Sequence, residues 1–222
     1  FLNKNEMAKA KALVEKAVTM AEKDFGQKSS MYADTLVAYS RYLDKTEQPQ
    51  KNKEILQTAL EIVERKEGKE SVAFARLLSS TAYNHYGFQR RSGVKDYRKA
   101  TEQASQAIEI LTRELGENNF LLVEPKSALA AIKGENALSK SSEKKKAELH
   151  KEVEKLEREV VEVSKEVLGE FNPHTAGKMG NLGWTYQQMG KLAEAEEMFN
   201  NSMKVLVAIQ GPEDDKVATI HN

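Results

Sequence analysis

The sequence predicts an all-α chain built as an array of helical hairpins. Two observations predict it: a glycine that closes a helical run five times along 222 residues, and apolar columns that keep their distance from that glycine from copy to copy. Composition is the third. With 40% apolar and 31% charged residues but only 12 Gly and 4 Pro, the chain suits helices that bury one stripe better than sheets that need many turns.

The five runs end in KDFG at Gly26, RKEG at Gly68, RELG at Gly116, EVLG at Gly169 and AIQG at Gly211, at intervals of 42, 48, 53 and 42 residues. Sixteen places before each glycine stand Ala10, Asn52, Ala100, Val153 and Ala195; twelve before stand Val14, Leu56, Ala104, Glu157 and Phe199. Nine before come Ala17, Ala59, Ala107, Val160 and Ser202, and six before come Met20, Ile62, Ile110, Val163 and Val205. Those offsets trace one face of a 3.6-residue helix, and most of the positions are small or aliphatic. The glycine itself fits the residue just past a helix end, where a left-handed backbone is cheap only without a Cβ.

A short polar loop and a second helix follow each glycine. They are clearest in ENNFLLVEPKSALAAI, EFNPHTAGKMGNLGWTYQQM and PEDDKVATIHN. Each unit is therefore a hairpin, and each helix must pack against both its partner and the next unit. Small residues on two faces answer that demand, with Gly183 and Ala195 expected at the tight crossings and Tyr186 or Phe199 filling the gap beside them.

Two intervals exceed the basic 42. The six extra residues of the 48-residue interval fall in GFQRRSGVKD, residues 87–96, where Gly87, Gly93 and the Arg90-Arg91 pair predict a loop. The eleven extra residues of the 53-residue interval fall in KGENALSKSSEKKK, residues 133–146. After it, Leu149, Val153, Leu156, Val160, Val163 and Val167 recur at heptad spacing, which predicts an elongated helix packed within the array, with a coiled-coil dimer as the alternative. By register Phe1 aligns with Tyr186, and neither end reads as a polar capping helix. Residues 1–222 are accordingly expected to form one continuous solenoid, the ordered middle of a longer protein.

Charge and composition narrow the function classes. Thirty-four basic residues balance 34 acidic ones, so the basic excess that nucleic acid demands is missing. There is no cysteine, which removes disulfides, thiol nucleophiles and Cys-based zinc sites. No apolar run approaches a membrane span, and FLNKNEMAKA does not read as a signal peptide. The four histidines, His85, His150, His174 and His221, lie in different repeats. His150 and Glu154 share a helix face, a pairing that arises constantly by chance, and a solvated face is expected there. No Gly-rich phosphate loop follows a strand, and neither a cofactor nor a metal is implied. The chain reads as a non-enzyme.

The spacing of Leu182, Gly183, Tyr186, Ala195 and Phe199 resembles the tetratricopeptide (TPR) signature, with Met179 and Ser202 where Trp and Ala usually stand. The 42-residue period resembles the kinesin-light-chain subtype. The resemblance implies a right-handed superhelix whose first helices line a concave groove. A closer likeness lies in residues 169–198, GEFNPHTAGKMGNLGWTYQQMGKLAEAEEM, supported by KAKALVEKAVTMAEKDFGQKSSMYADTLVAYSRYL and YRKATEQASQAIEILTREL. These stretches resemble the amyloid protein-binding protein 2 family.

That resemblance implies a peptide-binding adaptor. It would take the cytoplasmic tails of membrane proteins and act as substrate receptor of a cullin-RING ubiquitin ligase that reads C-terminal degrons, engaging ligase subunits through segments absent from this chain. It also implies association with microtubules and a cytoplasmic, cytoskeletal or nuclear location. The alternative is a kinesin-light-chain-like cargo or microtubule scaffold. In either case no nucleic acid and no membrane insertion are expected. By register, Asp34, Arg41, Asn181, Trp184 and Gln188 are expected to face the groove. The amide of Asn181 offers a donor and an acceptor to an extended peptide backbone. Arg41 is suited to grip a terminal carboxylate with two parallel hydrogen bonds, and Asp34 to attract a basic ligand residue.

Overall fold

The computed structural model describes residues 4–46, 48–93, 96–139 and 142–210. Among these the chain is all-α: α1 (Lys4–Phe25), α2 (Ser30–Lys45), α3 (Pro49–Glu67), α4 (Val72–Ser92), α5 (Arg98–Leu115), a 3₁₀ turn (Phe120–Leu122), α6 (Val123–Leu138), α7 (Glu143–Leu168), α8 (Pro173–Gln188) and α9 (Leu192–Gln210). The chain divides into two compact units, Phe1–Glu114 and Leu115–Asn222. The first holds α1 and the hairpins α2–α3 and α4–α5; the second holds the hairpins α6–α7 and α8–α9.

The glycines do what their spacing predicts. Gly26, Gly68, Gly116 and Gly169 all have positive φ, from 79° to 87°; Gly211 lies outside the described residues. At Gly68 and Gly169 the accompanying ψ is 163° and 159°, an extended positive-φ conformation open essentially to glycine alone. This differs from the expected left-handed helical turn, because the chain must leave the helix straight and start another three residues later. The N–H groups of Gly26, Gly68 and Gly169 still close their helices, donating to Glu22 O, Glu64 O and Lys165 O at 2.9–3.1 Å.

The restart is built into the same loop. Ser29, Ser71, Asn119 and Asn172 each stand three residues past a glycine, and each side chain accepts a hydrogen bond from the first turn of the following helix. Such a cap contributes about 1 kcal/mol. Ser29 and Ser71 also donate from Oγ to the carbonyl of Gly26 and Gly68, at 2.8 and 2.9 Å, which locks the loop in a tight turn.

The first insertion differs from the expectation. Residues 87–92 are helix and not loop: α4 runs on through Gly87 to Ser92, and the chain turns at Gly93, whose φ of 74° and ψ of 1° are left-handed. Within 133–146, α6 continues to Leu138 and α7 begins at Glu143, so most of the added length is helix. A hydrogen-bonded turn satisfies backbone groups that an irregular loop would leave to solvent. The 26-residue α7 is the elongated helix the heptad seam predicts. Val153, Val160 and Val163 are buried within unit 2, while Val167 at the seam's end is exposed.

Packing follows the columns. In unit 1, Leu56, Ala59, Ala100, Ala104, Ala107 and Ile110 are buried to 1% exposure or less. In unit 2, Gly183 meets the Phe199 ring so closely that a Cβ would lie 2.8 Å from Phe199 Cε1. Ala195 is buried with Val161, Met179, Leu182 and Tyr186 around it. Ser202, in the column that carries Ala or Val elsewhere, donates from Oγ to the Ala176 carbonyl at 2.7 Å. The crossing of α8 and α9 is thus both close and hydrogen-bonded.

Candidate functional site

The expected site residues fall on the first helices of two hairpins. Asp34 and Arg41 are exposed on α2, seven residues apart and therefore on one face. Asn181 and Trp184 are exposed on α8, and Gln188 is half-buried one turn beyond. Their spacing of three and seven puts these three on one face as well. The two sets belong to different units, and within unit 2 the α8 set has the more developed surroundings.

Trp184 is the single tryptophan of the chain and 43% exposed. Its ring reaches Gly134 of α6, where a Cβ would stand 4.0 Å from Cζ3. The glycine at 134 is buried and lets the ring lie close against α6. A large, rigid, half-exposed aromatic held on one side by packing is the type of side chain that anchors protein contacts. One turn before Asn181, Lys178 bridges the two first helices, donating from Nζ to Ser127 Oγ of α6 at 2.9 Å. Burial pushes the Lys178 ammonium below the usual lysine range, and the carboxylates of Glu124 and Glu157 oppose that effect.

Beneath this face lies α7. Thr185 donates from Oγ1 to Glu157 Oε2 at 2.6 Å, and burial pushes the Glu157 carboxyl up to about 7. Three further α7 carboxylates have lysine partners: Glu154 takes both its oxygens to Lys191 at 2.7 and 2.8 Å, Glu159 takes Lys126 at 2.7 Å, and Glu152 takes Lys133. The floor of the face is therefore polar and tied to both neighbouring helices. Lys178, Ser127, Gly134, Glu157 and Thr185 escaped the sequence reading. A polar residue in a column otherwise apolar, as Glu157 is, was the one signal that could have found them.

The histidines do not form a site. Among the described residues no cluster of His, Asp and Glu is arranged to hold a metal ion. His150 corrects the expected solvated face: it is only 5% exposed, and burial lowers its imidazole below the usual range. Glu154 is occupied by Lys191 instead. The His174 ring lies tilted at 56° to Phe120, 5.8 Å between centroids, beside the start of α8, and its backbone N–H donates to the Asn172 cap. Among the described residues, no helix is long and apolar enough to cross a membrane.

Residues 175–212, which cover α8 from Thr175 onward and all of α9, match the tetratricopeptide repeat model. Rat and mouse amyloid protein-binding protein 2 are each 35% identical over 188 residues, which is 85% of this chain. The chain is a tetratricopeptide-repeat relative of amyloid protein-binding protein 2. It spans about a third of the length of those curated relatives, 32% in each case. Among solved structures, BtubC (BKLC) from P. vanneervenii superposes with a TM-score of 0.65 at 19% identity, covering 96% of this chain and 78% of that one. A putative kinesin light chain of Podosopora anserina with TPR-like repeats superposes with a TM-score of 0.57 at 17% identity, covering 93% and 90%. These likenesses show the fold: a TPR-type array of helical hairpins, as the register of glycines predicts.

Proposed function

We propose that this chain is a non-enzymatic adaptor that docks an extended peptide on its first-helix faces. The observation that carries the reading is the α8 face: Asn181, Trp184 and Gln188 at one helical spacing, with the half-exposed indole held against Gly134 of α6. TPR arrays are protein-interaction folds, and the curated relatives are named for binding an amyloid protein. An amide, an aromatic and a second amide in line suit a peptide held through its backbone and one bulky side chain. Asp34 and Arg41 offer the same geometry on α2, with charge in place of the aromatic.

In this reading the ligand is a protein tail, and the Arg41 guanidinium favours a free carboxylate. The receptor role in a cullin-RING ubiquitin ligase, reading C-terminal degrons or sorting signals, follows from kinship alone and would draw on segments beyond this chain. Localisation in the cytoplasm, on microtubules or in the nucleus has the same standing. The test is a binding screen of the chain against peptides ending in glycine, each with a free and an amidated C-terminus. Binding that needs the carboxylate, and that weakens at least tenfold in Asn181→Ala or Arg41→Ala, supports the receptor. Equal binding of both forms, untouched by either substitution, contradicts it and favours a scaffold that works through other surfaces.

A further inference from the structure

The polar floor of unit 2 contains one unmatched arrangement. Three of the cations facing α7 are committed to its carboxylates: Lys126 to Glu159 and Lys133 to Glu152 from α6, and Lys191 to Glu154 from the turn before α9. The fourth is Lys178 of α8. Its ammonium donates to a hydroxyl, Ser127 Oγ, although Glu124 of α6 and Glu157 of α7 both act on it electrostatically. Glu157 in turn takes a hydroxyl, Thr185 Oγ1, and Lys178 is the charged group that acts on it. His174, one turn before Lys178, and Tyr186, buried beside Val161 of α7, are the other titratable groups of α8, and burial together with Lys178 lowers the His174 imidazole. The 3₁₀ turn Phe120–Leu122 supplies none. A lysine and a glutamate on adjacent helices are thus each parked on a hydroxyl rather than on each other.

We propose that Glu157 is a proton-operated tether for α8. Thr185 donates to it in either state, most strongly to the carboxylate; while the carboxyl is neutral Lys178 stays on Ser127, and when it is ionised it draws Lys178 off Ser127 and resets the outward face that carries Asn181 and Trp184. The carboxyl and the indole are linked through adjacent residues, since Thr185 follows Trp184. Burial places the Glu157 titration close to neutral pH, where a cell can use it. The consequence for ligand binding rests on the reading of this face as a docking surface. The tether itself does not, and it can be measured without any ligand.

The probe is built in, because Trp184 is the only tryptophan. Its emission, followed from pH 5 to pH 9 on the 222-residue chain, is expected to move in a single step with a midpoint near 7. Glu157→Gln is expected to abolish that step, while Glu154→Gln and His174→Gln retain it. A flat profile, or a step that survives in Glu157→Gln and vanishes in His174→Gln, overturns the proposal. Should Glu157→Gln misfold, the side-chain carboxyl shift of Glu157 in the unaltered chain decides by NMR. Titration at least one pH unit above an ordinary glutamate supports the tether, and titration in the ordinary range overturns it. Loss of peptide binding with the step intact would instead count against the docking reading alone.

Discussion

Units 1 and 2 share one hairpin design and hold it together by different means. In unit 1 the contacts between the first three helices converge on an aromatic: Tyr39 stacks 6.2 Å from Tyr42, accepts from Lys51 at 2.6 Å and donates to Glu15 at 3.3 Å. Around it the columns are aliphatic and fully buried, as at Leu56 and Ala59. In unit 2 the long α7 adds a row of carboxylates, each answered by a lysine or a hydroxyl on a neighbouring helix. The difference teaches that the repeat specifies where helices cross, and leaves open whether oil or charge fills the crossing. Unit 1 should then respond to lost volume, and unit 2 to pH and salt as well.

Leu56→Ala tests the apolar side and carries the largest expected effect. Leu56 is 1% exposed, and truncation of such a leucine costs about 2–5 kcal/mol. Chemical denaturation should show that loss with no dependence on pH between 6 and 8. Ala195→Leu tests the tight crossing in unit 2 and is expected to cost about 1–3 kcal/mol by overpacking against Met179 and Tyr186. A loss well below that range would mean that α8 and α9 can separate at little cost.

Glu157→Gln separates the two units by pH. Its folded-state carboxyl is raised from 4.5 to about 7, so the folded chain holds that proton more tightly than the unfolded chain. The associated stability is complete below pH 4.5, declines as pH rises through about 7, and is gone above it. Removing the ionisable group should therefore stabilise the chain at pH 8, by up to about 3 kcal/mol, and leave it little changed at pH 5. A variant less stable at pH 8 would show that the ionised carboxylate is well paired in the native state.

Caps should not distinguish the units. Ser71→Ala in unit 1 and Asn172→Ala in unit 2 are each expected to cost about 1 kcal/mol, read as a fall in Tm. Lys191→Met, at a half-exposed ion pair, should cost under about 1 kcal/mol, less still in high salt.

Much of this was legible in the sequence because glycine has a backbone signature that few other residues can imitate. Gly26, Gly68, Gly116 and Gly169 marked helix ends, and counting back from them found buried columns. The capping residues Ser29, Ser71, Asn119 and Asn172 stood at an equally fixed distance. The loop predicted around Gly87 failed because a glycine inside a helix costs only about 1 kcal/mol, which tertiary packing readily outweighs. The outward placement of Asn181 and Trp184 was readable by register, since Leu182 and Tyr186 fix which side of α8 faces inward. Lys178 and Glu157 were not, because their roles depend on partners 51 and 28 residues away through Ser127 and Thr185, and no local pattern encodes such pairings. Gly134 escaped for the same reason: its meaning lies in the ring of Trp184 on another helix.

The central claim, that an extended peptide docks on the α8 face, is tested most directly by the emission of Trp184 during titration with a peptide retained in the screen. A saturable blue shift whose midpoint matches the affinity measured independently by calorimetry, and which is lost in Asn181→Ala, is the predicted result. Saturating binding with the Trp184 emission unchanged would place the ligand elsewhere and contradict the account.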